Sequence, residues 1–330
     1  MDAVAAVIAH EELSASDPGF CLAYLAHSML CVNNLARNAS AAQRQRWLPK
    51  LLSGAHVGAM GMSEPGTGTD VLSMKTHAHR QGDGWVVDGR KMWITNGAVD
   101  DNKTPCDLML FYARTGGTAG GPEVSTFVVE RGTPGFSVGQ KIHGKTGMRA
   151  SNTAEMVLEG CVLPGSALVG EVGASTKHMM RNLALERLTL AAMSIGLARR
   201  CVEVMVRYAN ERHAFGKPLS AFGQIQRHVA ESYAELMAAR AYVYDTAQKL
   251  ALDGYGGRLD TDGVKLVAST MGKNVADRAM QVLGGYGYVN EYVVERLWRD
   301  SKLLEIGGGT NEAHQKNITR DLAKGGLPWA

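Results

Sequence analysis

Cysteine is sparse in these 330 residues: five residues (Cys21, Cys31, Cys106, Cys161, Cys201), odd in number and never in a CxxC pair. That excludes a disulfide framework or a cysteine-built zinc site and fits thiols kept reduced. No block of Lys or Arg occurs and the formal net charge is only +3, which argues against nucleic acid as a partner. The apolar windows are broken by charge short of ~18 residues, so no membrane insertion is expected. The first residues, MDAVAAVIAHEEL, have no basic n-region, so neither a secretory signal nor a transit peptide is expected there. What is present is ordinary: 45% hydrophobic residues, on a chain long enough for two or three packed domains.

Periodicity divides the chain into three. Residues 1–56 read as helices, including one that starts at Ser40, where SAAQ forms a capping box; Pro49 and Ser53-Gly54 are expected to end it. Residues 57–168 read as strands. WVVDGRKMWIT is expected to be a hairpin turning at Asp88-Gly89, followed by strands at Leu108–Ala113, Ser125–Glu130 and Glu155–Leu163 with Gly-rich loops such as Thr115–Pro122 between them. From 169 to 330 the helical period returns, with helices expected over Ser175–Glu211, Phe222–Asp253, Thr261–Leu283, Glu291–Leu304 and Thr310–Leu322, then a mobile tail, KGGLPWA. Helices, strands, then a helical bundle make an α+β multidomain protein.

The residue with the most chemical content is Glu186. Leu183, Glu186, Leu190, Met193 and Leu197 fall at spacings of 3, 4, 3 and 4, one face of a helix. A carboxylate in an apolar stripe must be paired, protonated or functional. Desolvation would raise its pKa toward neutrality, as suits a general base, while the bland alternative is a salt bridge to a neighbour such as Arg187. In MGMSEPGTGTD (Met60–Asp70), Gly66 and Gly68 allow close backbone approach to a ligand, and Ser63, Thr67 and Thr69 offer hydroxyls. Taken alone it is a turn-rich loop, Trp93 in KMWITNG is a core aromatic, and Gly307–Gly309 is a loop without a ligand. Met179, Met180 and Met193 read as core.

Taken in order, these segments resemble the acyl-CoA dehydrogenases, flavoproteins that remove two hydrogens from an acyl-CoA thioester. The match covers nearly the whole chain and carries its fold with it: N-terminal helices, a central β-barrel-like domain and a C-terminal four-helix bundle. SEPGTGTD is similar to the family's SEPxAGSD loop, KMWITNG to its flavin-stacking segment, and KTGMRASNT to GMRxSxT; RHAFG is similar to RxxFG, and QVLGG and GGYGYVNEYVVERLWRDSKLLEIGGGTNE to its C-terminal elements. The resemblance implies FAD as cofactor, contacted by Met60, Met62, Ser63, Trp93, Ile94, Thr95, Arg212, Phe215, Gln281, Gly284, Gly285, Thr310, Asn311 and Glu312. Arg212 and QVLGG belong to elements that reach a neighbouring subunit's flavin, which implies a homo-oligomer, commonly a tetramer. Thr69, Arg187, Gly308 and Gly309 fall at substrate-binding positions.

Most of the family carries its catalytic glutamate where this chain has Gly308. A branch typified by isovaleryl-CoA dehydrogenase places it on an earlier helix, and Glu186 stands at that second place. The resemblance then implies Glu186 as the base for the α-proton, the backbone N–H of Gly308 as a donor to the enolate oxygen, FAD as acceptor of the β-hydrogen, and a short branched acyl-CoA such as isovaleryl-CoA as substrate. Longer-chain members also use the helix-borne base. The implied electron acceptor is an electron-transferring flavoprotein; an oxidase that uses oxygen and a subunit completed by a partner are the alternatives. The chain departs from the pattern in two ways. Gly223 stands where the family has the first Gln of FQx[IV]Q, and several tens of residues usually precede the helix that Ala3–Leu13 matches, so a truncated N-terminal domain is expected. A bacterial cytoplasm or a mitochondrial matrix fits the reduced thiols.

Overall fold

The computed structural model of the chain describes residues 2–118, 121–251 and 258–325. It begins with α1 (Ala3–Ser16), α2 (Pro18–Leu25), a π-helical stretch (Ala26–Val32), α3 (Asn33–Asn38) and α4 (Ala41–Leu52). Strands follow: β1 (Gly58–Gly61), β2 (His77–Gln81), β3 (Gly84–Thr95), β4 (Leu108–Thr118), β5 (Gly121–Glu130), β6 (Phe136–Lys141), β7 (Thr153–Leu163) and β8 (Leu168–Val169). After them come α5 (Ser175–Glu211), a short pairing of β9 (His213–Ala214) with β10 (Lys217–Pro218), α6 (Gly223–Lys249), α7 (Arg258–Leu283), α8 (Val294–Ile306) and α9 (Asn311–Gly325). The expected Asp253 helix end, part of the Thr115–Pro122 loop and most of the KGGLPWA tail lie outside the described residues.

The chain forms two compact units that are not contiguous in sequence: one of Met1–Cys21, Thr146–Met148 and Leu183–Ala330, the other of Leu22–Lys145 and Arg149–Asn182. The second holds one mixed eight-stranded sheet in the order β6-β7-β3-β2-β4-β5-β8, with β1 added in parallel on β4. Its core is apolar, with Trp85 edge-on to Phe127 at 5.2 Å and Phe127 stacked on Phe111 at 5.8 Å.

Several local expectations are overturned. The WVVDGRKMWIT segment is one continuous strand, β3, and the hairpin turns earlier, between β2 and β3. Asp88-Gly89 marks an irregularity against β7 instead of a turn: Asp88 accepts the Gly160 N–H at 2.7 Å, and a side chain on Gly89 would collide with Thr76. The Gly-rich stretch after Ala113 extends the β4–β5 pairing out to Thr118 and Gly121, with an irregularity at Arg114/Gly116. The expected capping box at Ser40 is present in both directions, but Pro49 lies inside α4, which runs on to Leu52.

Pro18–Asn38 is, contrary to expectation, long and apolar enough to cross a membrane by length and composition. Its polar groups have protein partners. His27 accepts the Gly58 N–H on Nδ1 at 3.0 Å, which makes Nε2 the donor to the Leu51 carbonyl at 3.0 Å, and Asn34 donates to the Tyr112 hydroxyl at 2.8 Å. Such fixed polar pairing is what a core helix needs and a lipid-facing one lacks.

In the other unit α5 is central. Every residue from Ala184 to Ala198 is buried, as expected of a helix packed on all sides. Glycine permits two of these contacts. A side chain on Gly196 would strike the Glu11 carbonyl of α1, and one on Gly272 of α7 would stand 3.2 Å from the Ser194 carbonyl. Helix α7 in turn packs against α6, α8 and α9.

Candidate active site

In the sheet-bearing unit, β1 leads into Met62, Ser63 and Glu64, and β3 carries Lys91 to Thr95. The structure joins these two segments. The Met92 N–H donates to the Ser63 carbonyl at 2.8 Å, and Lys91 Nζ donates to Glu64 Oε1 at 2.8 Å and to the Met62 carbonyl at 3.3 Å. Glu64 also accepts the N–H groups of Lys75 and Thr76 at 2.6 and 3.0 Å. Burial brings the Lys91 ammonium down to about 8, against the pull of Glu64. Burial pushes Glu64 the other way, but Lys91 and the hydrogen bonds together hold it below the usual carboxylate range. The pair is therefore ionised near neutrality and fixes the loop.

Beside it, Trp93 has φ of 65° and is 61% exposed, at a point where β3 slips register against β7. Ile94 points into the core, so only its backbone is available to a ligand, while Thr95 is half-buried opposite Thr153. Met60 and Ser63 are half-buried, Met62 is buried and Thr69 is exposed; the Thr67 hydroxyl is buried without a partner among the described residues. No atom stands within 4 Å of a side chain placed on Gly66 or Gly68. The KTGMRASNT element ties itself down: Lys145 Nζ donates to the Ser151 carbonyl and to Thr153 Oγ1 at 2.5 and 2.9 Å.

In the helical unit Glu186 is 8% exposed and its carboxylate has no hydrogen bond among the described residues. Burial pushes it up to about 7, with Arg187 and Lys265 pulling it back. The expected alternative, a structural pair with Arg187, is not formed: Arg187 Nη1 bonds Asp262 at 3.0 Å, while its Nε has no partner among the described residues. Gly308 has φ of 68°; an ideal Cβ there would lie 3.5 Å from Glu186 Oε1 and overlap Leu190 Cδ1. The Gly309 carbonyl accepts from Lys265 Nζ at 2.8 Å and stands 3.0 Å from His314 Nε2. Thr310 caps α9 through the Ala313 N–H at 3.3 Å, Asn311 accepts from Ser269 at 2.9 Å, and Glu312 is exposed.

Arg212, Phe215, Gln281, Gly284 and Gly285 gather elsewhere in this unit. The Arg212 guanidinium lies 6.0 Å from the ring of Tyr286, which follows Gly285, and Tyr286 packs with Tyr208 and Tyr292. Phe215, with φ of 55°, is 94% exposed. Gln281 is about 18 Å along α7 from Ser269, where Asn311 bonds, at 1.5 Å per residue. These two groups do not meet within one chain.

Residues 1–55, 59–161 and 176–323 match, in turn, the N-terminal, middle and C-terminal domains of acyl-CoA dehydrogenase. The chain belongs to the acyl-CoA dehydrogenase family. A mitochondrial isovaleryl-CoA dehydrogenase from Oryza sativa subsp. japonica is 45% identical over 317 residues, 96% of this chain and 76% of that protein. The structure of butyryl-CoA dehydrogenase from Megasphaera elsdenii superimposes with a TM-score of 0.92 at 34% identity, covering 98% of this chain and 82% of that one. The FAD complex of PigA does so with a TM-score of 0.91 at 27% identity, covering 98% and 83%.

In this acyl-CoA dehydrogenase family member, motif reading missed three residues that flank Glu186 and Gly309: Asp262, Lys265 and His314. A signal existed for the first two. Asp262 and Lys265 stand three apart on a helix, among apolar residues, as Glu186 does on its own.

Proposed function

We propose that this protein catalyses FAD-dependent α,β-dehydrogenation of a short branched acyl-CoA of the isovaleryl type, with Glu186 as the base. One observation carries the reading. The Glu186 carboxylate lies where a side chain at position 308 would enter, so the catalytic carboxylate of one branch stands in for that of the other.

The residues present fit a flavin. Trp93 holds an exposed indole off the sheet by a backbone conformation that L residues rarely adopt, and the Thr67 hydroxyl lacks a partner among the described residues. Met60, Met62, Ser63, the Ile94 backbone, Trp93 and Thr95 would hold it in the sheet-bearing unit; for the helical unit the family resemblance proposes Thr310, Asn311 and Glu312 as flavin contacts. Arg212, Phe215, Gln281, Gly284 and Gly285 would serve the flavin of a second copy, Arg212 gripping its pyrophosphate bidentately. The bound flavin would supply the acceptor for the β-hydrogen.

Glu186 takes the α-proton. Its burial keeps water away and raises its basicity toward that of a weakly acidic α-carbon. The Gly308 N–H donates to the thioester oxygen as it gains charge, a contact available to glycine because the donor is main chain. The Gly309 backbone would hold the thioester arm, Thr69 is the substrate contact proposed for the sheet-bearing unit, and an electron-transferring flavoprotein would receive the electrons. A bacterial cytoplasm or a mitochondrial matrix is the proposed setting.

Anaerobic titration of the FAD-supplemented protein with isovaleryl-CoA tests this. Bleaching of the visible flavin band is expected. No bleaching with isovaleryl-CoA but bleaching with butyryl-CoA would move the substrate to straight chains, and peroxide release in air would point to an oxidase.

A further inference from the structure

Three ionisable side chains beside Glu186 and Gly308 are buried yet have no part in the chemistry just described: Asp262, Lys265 and His314, each at most 1% exposed. Two of them converge on one atom, and the third holds one of those two. The Gly309 carbonyl takes Lys265 Nζ at 2.8 Å and His314 Nε2 at 3.0 Å. His314 Nδ1 stands 2.6 Å from Asp262 Oδ1, which also faces the Arg187 guanidinium at 3.0 Å. Both ring nitrogens of His314 thus face oxygens, one on each side of the ring. Gly307–Gly309 has no side chain of its own to order it, and Gly308 and Gly309 hold φ of 68° and 99°. A run of glycines carries no preference for one such conformation, so the order comes from outside. The fit is close: a Cβ on Gly309 would lie 3.1 Å from His314 Cε1.

We infer that Lys265 and His314 are positioning residues that clamp the Gly309 carbonyl, and so hold the backbone that presents the Gly308 N–H, with Asp262 locking His314 and Arg187 in place. This rests on the reading of Glu186 as base and the Gly308 N–H as donor. The clamp also sets the charge around the base. Arg187 and Lys265 both pull on Glu186, which favours the ionised base despite its burial. Arg258 and Asp321 face Arg187, and Glu305 faces Lys265, from the neighbouring helices. Loss of Lys265 removes both a donor to Gly309 and the nearest ammonium to Glu186.

The test compares wild type, Lys265→Met, Lys265→Arg and His314→Gln as FAD-loaded proteins. Two quantities are read: backbone deuterium uptake of the peptide spanning 303–312, by mass spectrometry, and the pH dependence of deuterium exchange into the α-position of isovaleryl-CoA without an electron acceptor. Lys265→Met is expected to take up deuterium faster across 303–312, to slow α-exchange at least about tenfold at saturating thioester, and to move its half-maximal pH upward. α-Exchange is compared per bound flavin and at saturating thioester, so that a change in loading or KM does not enter the rate. Lys265→Arg should restore most of the loop protection and of the pH midpoint, and His314→Gln should loosen the loop as Lys265→Met does. Unchanged uptake and an unchanged pH midpoint in Lys265→Met would overturn the inference. If that variant does not fold, unchanged uptake in His314→Gln would overturn it equally. Absence of α-exchange in the wild type would defeat the assignment of Glu186, while the uptake of 303–312 would still decide the clamp.

Discussion

A Cβ placed on Gly308 would lie 3.5 Å from Glu186 Oε1 and overlap Leu190 Cδ1. A Cβ at 308 would therefore stand in ordinary contact with the carboxylate of 186, and it is Leu190 that has closed the room glycine would otherwise leave. Glu186→Gln should cut turnover by about 10²–10⁴-fold, the range of a lost general base, with flavin retained. Wild-type α-exchange in that variant would refute the assignment.

Restoring the base from the other position should not be simple. Gly308→Glu in the Glu186→Gln background puts a side chain on a left-handed backbone and drives it into Leu190. The double variant is expected to stay inactive, and adding Leu190→Ala should return measurable straight-chain dehydrogenation. Rescue by the double variant alone would mean that Leu190 yields more than its packing allows.

The pH behaviour follows from Glu186, pushed up to about 7 by burial from its ordinary 4.5. Only its ionised form accepts a proton, so kcat/KM should rise with pH through a midpoint near 7 and level off above it. Stability runs the opposite way. The folded protein holds this proton to higher pH than the unfolded chain, so the contribution is present below about 4.5 and lost as pH rises through about 7. Glu186→Gln should therefore melt higher than wild type at pH 8, by an amount of roughly 3 kcal/mol, and the gap should close toward pH 4. A pH-independent gap in paired thermal melts would refute the raised value.

How much of this could be read in the chain varies with the range of the contacts. Helix α5 spans the expected Ser175–Glu211, because a long 3.6-residue period and the flanking polar residues are local signals. The Ser40 capping box is equally local. Strand β6 went unrecognised in PGFSVGQK, where two glycines mask the alternation; β7 holds it in place. Asp88-Gly89 carried turn chemistry that the sheet used for an irregularity. The clamp on Gly309 was beyond reach for a different reason. Asp262 stands among apolar residues, but its partner His314 is 52 residues away, and nothing local joins the two until the fold places them together.

Gly223 stands where the family carries a glutamine, and nothing lies within 4 Å of a side chain placed there. Steric exclusion therefore does not explain the glycine. As the first residue of α6 it also costs helix stability, by about 1 kcal/mol at most. Gly223→Gln is expected to fold at least as well as wild type and to bind FAD more tightly, as read by equilibrium dialysis of the flavin. Weaker binding would show that the open space is already used by a partner or by the flavin.

Lys91 and Glu64 are each nearly or wholly buried, and their 2.8 Å bond links β3 to the loop that carries Met62 and Ser63. Lys91→Met would leave the Glu64 carboxylate in the interior with only the Lys75 and Thr76 N–H groups to satisfy it. Breaking one side of a buried pair costs about 3–5 kcal/mol, and the two remaining bonds place this case at the lower end. A lower melting temperature and loss of flavin on gel filtration are both expected. The double variant Lys91→Met/Glu64→Gln separates the two effects. Removing the orphaned charge should recover most of the stability, since a neutral side chain of similar shape is far cheaper to bury. Flavin retention should not recover in step, because the Lys91 bonds to Glu64 and to the Met62 carbonyl would both still be missing. Full recovery of flavin in the double variant would mean that the ion pair serves folding alone and leaves the loop's ligand-facing geometry untouched.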